Sequence, residues 1–222
     1  MISKRIRTIA SLIEKDKKVI DIGCDHAFLA LVLRSNGHQG EIVCTDLRKG
    51  PCEKARENLD LYGYTDIPVI RTPGVEGIEF QADVAVMAGM GYKTVRDIIS
   101  NDLNYFRNCE KIIIQLNHSN DLMRRWLVEK GFSIADELMI KDYKYYEILT
   151  VENGYQPLTE DEIVYGPVLL RERSPEFTAY YTEKIEKLGK VLATITPDHP
   201  DYEEVHKKRE VLIRMLKSSP LS

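Results

Sequence analysis

The run Asp21-Ile22-Gly23-Cys24-Asp25-His26-Ala27 sets two carboxylates and an imidazole around one glycine. Glycine lets the backbone approach a ligand closely, and the acidic neighbours suit a ligand that carries positive charge. A dinucleotide pyrophosphate needs G-x-G-x-x-G, whereas positions 25 and 26 here are Asp and His, so that chemistry is disfavoured. A cofactor bearing a sulfonium and an amino-acid moiety fits better than one bearing phosphates. Asp46 closes the next apolar run, about 20 residues after the glycine, where an acidic side chain can accept hydrogen bonds from two ribose hydroxyls. The alternative at Asp25 and Asp46 is a solvated turn or a cap. Further on, Met87-Ala88-Gly89-Met90-Gly91 offers two glycines for packing backbone against a ligand. Gln115-Leu116-Asn117-His118 offers side-chain amides that could pair with the edge of an inserted base. His118 and His26 could move a proton near neutral pH. Taken singly, each of these reads equally well as a turn.

These residues fall where the apolar pattern predicts strand ends. Ile6, Ile9, Leu12 and Ile13 make one stripe of an opening helix, and Val19, Ile20 and Ile22 form a strand that stops at Gly23. A helix is predicted from Phe28 to Arg34, strands over 41–47, 67–72, 82–89 and 111–116, and helices over 51–63, 93–106 and 120–130. Pro51 in the first turn and Gly63 at the end punctuate the second of these helices. Near-continuous apolar strands alternating with helices indicate a parallel sheet covered on both faces. Segments 132–140 and 143–151 are separated by Lys141 and Asp142 alone, which leaves no room for a helix and predicts an antiparallel hairpin. An α/β sheet finished in this way is the Rossmann-like architecture of class I S-adenosylmethionine-dependent methyltransferases. After Gly154 the chain is expected to be irregular to about Arg173. Ser174 then caps a helix with Pro175 in its first position and a stripe of Tyr181, Ile185, Leu188, Leu192 and Ile195. Pro197 and Pro200 break it, and Tyr202, Val205, Leu212 and Leu216 continue the stripe with Arg209 in the seam, predicting an antiparallel α-helical hairpin.

Composition narrows the function classes. The 31 basic and 35 acidic side chains give a net charge of −4, with 43% apolar residues, which excludes a disordered acidic chain and a globally basic nucleic-acid binder. A local basic face remains compatible with that sum. No stretch reaches the roughly 18 apolar residues of a membrane span, so the chain is expected to be cytoplasmic, without a membrane partner. Cys24, Cys44, Cys52 and Cys109 lack metal or disulfide spacing, so they read as reduced, buried thiols, and no metal is expected.

Together these residues resemble a known family, the bacterial tRNA (adenine-22 N1)-methyltransferases. The likeness runs nearly the whole length: Ser3-Lys4-Arg5-Ile6, D-I-G-x-D-H-A at 21–27, Gly50-Pro51, A-G-M-G at 88–91, Tyr146-Glu147-Ile148-Leu149 and Tyr165-Gly166-Pro167. The D-H-A that follows D-I-G-x is the most specific of these. The resemblance implies S-adenosylmethionine as methyl donor, tRNA as partner, and N1 of adenine 22 as acceptor. Residues 1–154 are then the methyltransferase domain, 155–173 a connector and 174–222 a helical hairpin that helps to hold the RNA. The expected cofactor residues are Asp21, Gly23, Asp46, Leu47, Glu76, Gly89 and Gly91, and the expected catalytic residues are Asp25, His26 and Asn117. Asp25 is placed to stabilise positive charge on the methylated base. Lys4, Arg5, Arg7, Arg48, Lys49, Lys207, Lys208 and Arg209 are the expected RNA contacts, on a chain expected to work as a monomer. The chain departs from the family pattern at Tyr92, at Leu116 and in the loop 73–77, which leaves a non-catalytic tRNA- or protein-binding module as the alternative.

Overall fold

The computed structural model describes residues 2–218. Among them seven strands form one sheet: β1 (Val19–Ile22), β2 (Ile42–Asp46), β3 (Val69–Arg71), β4 (Val84–Met90), β5 (Lys111–Leu116), β6 (Phe132–Lys141) and β7 (Tyr145–Asn153). Their order is β3-β2-β1-β4-β5-β7-β6. The first five are parallel, with Val19 beside Ile42 and Val84 and with Ile113 beside Val86. The hairpin turns inward, so β7 lies between β5 and β6 and is antiparallel to both, with Ile112 opposite Val151. Alternation along the strand pattern predicts the hairpin but not which of its strands meets the sheet.

Side chains divide by strand parity between two apolar layers. Val19, Ile42, Val84 and Ile113 face α1 (Lys4–Ser11), α2 (Phe28–Ser35) and α3 (Lys49–Leu61). Ile20, Val43, Ala85 and Ile112 face α4 (Tyr92–Asn101), α5 (Leu103–Arg107) and α6 (Asn120–Glu129). Burial on both faces explains why the parallel strands are apolar at almost every position. All four cysteines are buried and unbridged. Among the described residues no helix is long and apolar enough to cross a membrane.

Two local predictions need correction. The single helix expected over 93–106 is broken at Asp102, whose non-helical backbone and side chain, accepting from the Tyr105 amide at 3.0 Å, start α5 afresh. The segment expected to be irregular holds α7 (Glu160–Tyr165) and α8 (Pro167–Glu172). The Thr159 hydroxyl accepts from the Glu162 amide at 3.3 Å, while the Glu162 carboxylate accepts from the Thr159 amide at 2.7 Å. That reciprocal pair is a capping box, and T-x-x-E was its legible signal.

A buried ion group ties α6, the hairpin and the end of α7 together. Arg124 is fully buried, with Nε donating to Glu137 Oε1 at 2.6 Å, Nη2 to Glu147 Oε2 at 2.6 Å and Nη1 to the Ile163 carbonyl at 3.2 Å. Burial alone would lower the guanidinium's pKa, but the two carboxylates outweigh it and hold the charge more firmly than usual. Gly166 turns the chain directly over this group at φ +92°, where a Cβ would overlap the Glu137 carboxylate and approach Arg124 Nη2 to 2.9 Å. Only glycine satisfies both the backbone angle and the space.

The chain divides between Pro167 and Val168 into two compact units. In the second, α9 (Pro175–Leu192) and α10 (Tyr202–Lys217) pack antiparallel. Arg173, ahead of α9, donates to the Leu216 carbonyl at 3.1 Å, and Gly189 faces Arg209. Ser174 caps α9 by accepting from the Phe177 amide at 3.2 Å.

Replacing Gly166 by Ala forces the ion group apart and is expected to destabilise the protein by about 3 to 5 kcal/mol, the range for a broken buried pair. Glu137→Gln, which leaves the backbone untouched, should fall in the same range. Urea unfolding of both variants measures this, and a loss under about 1 kcal/mol in both would show that the group carries little of the fold.

Candidate active site

The carboxyl ends of β1, β2 and β4 open into a cavity of about 820 Å³, walled also by the 72–74 loop, by α1 and by α4. It lies beside the point where strand order reverses between β1 and β4, the place where open parallel sheets leave a crevice. Asp21, Gly23, Asp25, His26, Asp46, Leu47, Arg48 and Gly89 come together in its lining. Residues far apart in sequence thus meet because parallel strands end in register.

The turn after β1 is built by hydrogen bonds to its neighbour. The Gly23 and Cys24 amides donate to the Thr45 carbonyl at 2.7 and 2.9 Å. Asp25 and Ala27 then both take positive φ, 51° and 56°, a conformation that costs L-residues of order 1 kcal/mol or more and is held only by its surroundings. The Asn58 side chain supplies part of that hold by donating to the His26 carbonyl at 2.9 Å. The His26 ring stacks on Phe28 at the cavity mouth, with centroids 5.3 Å apart, and its Nε2 lies 3.6 Å from Asp25 Oδ2.

Asp46 is 5% exposed and its two oxygens point into this turn. Oδ1 accepts from the Arg48 amide at 2.9 Å and Oδ2 from the Asp25 amide at 3.4 Å, so the carboxylate is fixed with lone pairs left towards the cavity. Asp21 is equally buried. Desolvation, and then the neighbouring Asp46 carboxylate, push its pKa up to about 7. Arg48 reaches Asp46 Oδ1 at 3.5 Å and Asp25 Oδ1 at 3.9 Å, but its side chain is mostly exposed and neutralises little. The floor is therefore acidic and can accept a ligand with hydroxyl donors and a positive charge.

The opposite wall engages two residues named from the sequence. Gln115, expected to face a base, is buried with its polar atoms already engaged. Its Oε1 accepts from the Gly89 amide at 3.1 Å and from Arg5 Nη1, and its Nε2 donates to the Leu116 carbonyl at 2.5 Å. Arg5, expected on an RNA-facing surface, is drawn into the cavity wall by that bond and lies 5.4 Å over the Tyr146 ring. Gly89, at φ +79°, leaves room for this guanidinium, because a Cβ would stand 2.9 Å from Arg5 Nη1.

Asn117, Gly91 and Glu76 do not line the cavity. Asn117 stands next to it, with Nδ2 donating to the Gly89 carbonyl at 2.8 Å. Glu76 is exposed and meets the loop only through its carbonyl, which accepts from Thr72 Oγ1 at 2.8 Å. Thr72, Pro73 and Gly74 form that wall instead, joined by Ile98 and Asn101 of α4, which sequence reasoning missed because helix-face residues carry no motif. The departures at Tyr92 and Leu116 lie outside the lining, and the Leu116 side chain is buried in the second apolar layer. His118 is exposed and pairs with Ser119 Oγ at 2.9 Å. Of the other expected RNA contacts, Lys4 and Arg7 stand exposed on α1, and Lys49 pairs with Glu53 at 3.5 Å. In the second unit Lys207 is exposed, Lys208 pairs with Glu204, and Arg209 sits in the helix seam with its Nε buried and unpartnered.

Comparisons with known proteins bear on this cavity. A family model described as tRNA (adenine(22)-N(1))-methyltransferase, TrmK, matches residues 19–218. The Bacillus subtilis tRNA (adenine(22)-N(1))-methyltransferase is 26% identical over 223 residues, which cover 96% of this chain and 94% of that one. A Streptococcus pneumoniae protein solved in complex with S-adenosyl-L-methionine aligns at 30% identity with a TM-score of 0.86, covering 97% of this chain and 100% of the other. M. capricolum TrmK in complex with S-adenosyl-homocysteine aligns at 27% identity with a TM-score of 0.79, covering 96% and 97%.

The Asp21 value has a measurable consequence. Because the folded state holds this proton more tightly than the unfolded chain, whose ordinary value is 3.8, the stability it contributes is fully present below about pH 4 and is lost as pH rises through about 7. In urea unfolding the ligand-free wild type should therefore lose on the order of a few kcal/mol between pH 4 and 8 relative to Asp21→Asn. Parallel pH profiles for the two proteins would place that titration elsewhere.

Proposed function

The chain belongs to the tRNA (adenine(22)-N(1))-methyltransferase family and is an S-adenosylmethionine-dependent enzyme that methylates N1 of adenine 22 in tRNA; from that premise we propose how its residues divide the work. The observation that carries the assignment is the pair of buried carboxylates, Asp21 and Asp46, facing one cavity at the end of β1 and β2. S-adenosylmethionine supplies an electrophilic methyl group on a sulfonium. The residues fit it: Asp46 offers fixed acceptors for two ribose hydroxyls, and Asp21 offers negative charge to the cationic end. A cation there favours ionised Asp21 and offsets the burial that raises its pKa. Gly23 and Gly89 let backbone close on the ligand, and Leu47 covers it at the rim. Gly91 and Glu76 act at one remove, through the start of α4 and the 72–74 loop.

Attack by the N1 lone pair needs little acid or base assistance, so the protein's main contribution is alignment, for which about 7 to 11 kcal/mol is available. The target adenine leaves its stack at a cost of a few kcal/mol and enters beside Gly89 and Asn117. Asn117, tethered to the Gly89 carbonyl, keeps its Oδ1 for the base. Positive charge grows on the adenine ring during transfer, and Asp25 at the cavity mouth stabilises it, with His26 beside Asp25 to accept a proton. Lys4, Arg7, Arg48 and Lys49 take phosphates from the first unit, and Lys207 and Lys208 from the second. Arg5 serves as a wall residue and Arg209 as part of the helix seam. A monomer is the working unit of this reading, and a tRNA substrate supports a cytoplasmic setting.

Mass spectrometry of nucleosides from unmodified tRNA incubated with the protein and labelled S-adenosylmethionine should give 1-methyladenosine, and its absence with every tRNA would overturn this reading. Asp46→Ala should weaken S-adenosylmethionine binding by about 1.5 to 3 kcal/mol in calorimetry, the range for hydrogen bonds to a charged group. Unchanged affinity in a folded variant would remove Asp46 from the site. Asp25→Asn should lower single-turnover transfer more than cofactor affinity, since charge stabilisation acts on the transition state. Equal losses in both would make Asp25 a cofactor ligand instead.

A further inference from the structure

We propose that the tip of the β6–β7 hairpin, clamped to the start of α1, is a docking surface for an unpaired nucleotide of the tRNA, with Tyr143 as the platform on which a base stacks. The proposal rests on the tRNA reading above. Tyr143 is 80% exposed at the turn that joins β6 to β7. Its ring stands edge-on to the buried Tyr146, with centroids 5.5 Å apart at 83°. Tyr146 is itself fixed, with Lys144 Nζ 5.1 Å and the Arg5 guanidinium 5.4 Å from its ring. The platform is thus rigid below and open above.

Lysines outnumber carboxylates around it. Lys4, Lys141 and Lys144 are exposed around the tip, and Lys141 Nζ lies 4.6 Å over the Tyr145 ring. The carboxylate in the tip, Asp142, is engaged, its Oδ2 accepting from the Lys4 amide at 2.9 Å. Lys4 Nζ in turn donates to the Lys141 carbonyl at 3.3 Å, so the tip and α1 move as one piece. Ser3 and Arg5, on either side of Lys4, line the cavity, which sets this surface against the cavity wall. On a chain of net charge −4, a cluster of lysines around an exposed aromatic is a local feature rather than a reflection of overall basicity. Aromatic faces beside cations bind unpaired nucleotides, bases stacking on the ring while phosphates meet the ammonium groups. Extruding the target adenine leaves its neighbour without a stacking partner, and Tyr143 supplies one.

The test uses the full chain and fluorescence anisotropy of labelled tRNA over a range of salt concentrations, with cofactor affinity and unfolding midpoint measured alongside. Tyr143→Ala should weaken tRNA binding about tenfold, within the range for one stacked base, while cofactor affinity and midpoint stay at wild-type values. Tyr143→Phe should bind as the wild type does. Lys144→Ala should flatten the slope of log affinity against log salt by about 0.7 to 0.9, the effect of one phosphate contact. Wild-type affinity in Tyr143→Ala overturns the proposal, as does a loss in Tyr143→Phe equal to that in Tyr143→Ala, which would assign the effect to the hydroxyl rather than to the ring. The binding measurement is independent of turnover. Loss of affinity in Tyr143→Ala together with no 1-methyladenosine from wild type would keep the surface and sink the enzymatic reading, while the converse pair of results would do the opposite.

Discussion

A charged guanidinium with no access to water is the constraint on which the first unit closes. Removing an ion from water costs several kcal/mol, so Arg124 stays charged inside only because two carboxylates and a carbonyl meet it at once. Those partners come from β6, β7 and the end of α7, so the ion group can form only when the hairpin has turned inward and the chain has passed over it at Gly166. Apolar residues of similar volume would tolerate many arrangements. A forked donor with short bonds to Glu137 and Glu147 tolerates very few, and it is reached through α6, the helix that follows the strand carrying Gln115.

That ordering extends to the cavity. β7 pairs with β5 through Ile112 opposite Val151 and Ile114 opposite Leu149, and β5 in turn aligns Gln115 with Ala88 of β4. The register between β4 and β5 shifts at Gly89, and the freed Gly89 amide is satisfied by the Gln115 side chain, which also draws in Arg5. One irregular residue in a strand therefore joins α1 to the sheet edge and shapes the wall past which a base must enter. On the other side, Asp21 and Asp46 are packed on neighbouring strands with too little solvent to keep both comfortable as anions. The acidic floor is accordingly a store of unfavourable electrostatics that a cationic ligand relieves, and the burial that raises Asp21 also strengthens its attraction to such a ligand.

In the proposed function the two units hold RNA differently. The second is two helices whose seam is filled by apolar side chains and by Arg209 against Gly189, with lysines on the outside. Its lysines are long and exposed, and Lys208 pairs with Glu204, an arrangement suited to phosphates at any position along a backbone. The hairpin tip of the first unit is the opposite, a fixed ring with fixed cations. Affinity without geometry and geometry with modest affinity are complementary ways to hold a large, charged substrate while one base is handled.

The alternation of apolar strands and helices, the hairpin and the two C-terminal stripes were all legible in the sequence, because each is set by local periodicity and by punctuation such as Pro51, Ser174 and Pro175. So were the carboxylates of the floor, since a motif at a strand end is carried by adjacent residues. The helix break at Asp102 and the pair α7 and α8 were misread although Asp102 and T-x-x-E signalled them, because short helices have too few turns for periodicity to show. What no local pattern contains is which strand of the hairpin joins β5, that Gln115 is consumed inside the wall, that Arg5 turns from surface to site, and that Ile98 and Asn101 face the cavity. These depend on pairings between residues far apart in the chain, where burial, hydrogen-bond satisfaction and the desolvation of a few charges choose among partners that the sequence leaves equivalent. The chemistry available to the protein was therefore written in residue types, while its arrangement was decided only when the buried polar groups had to find one another.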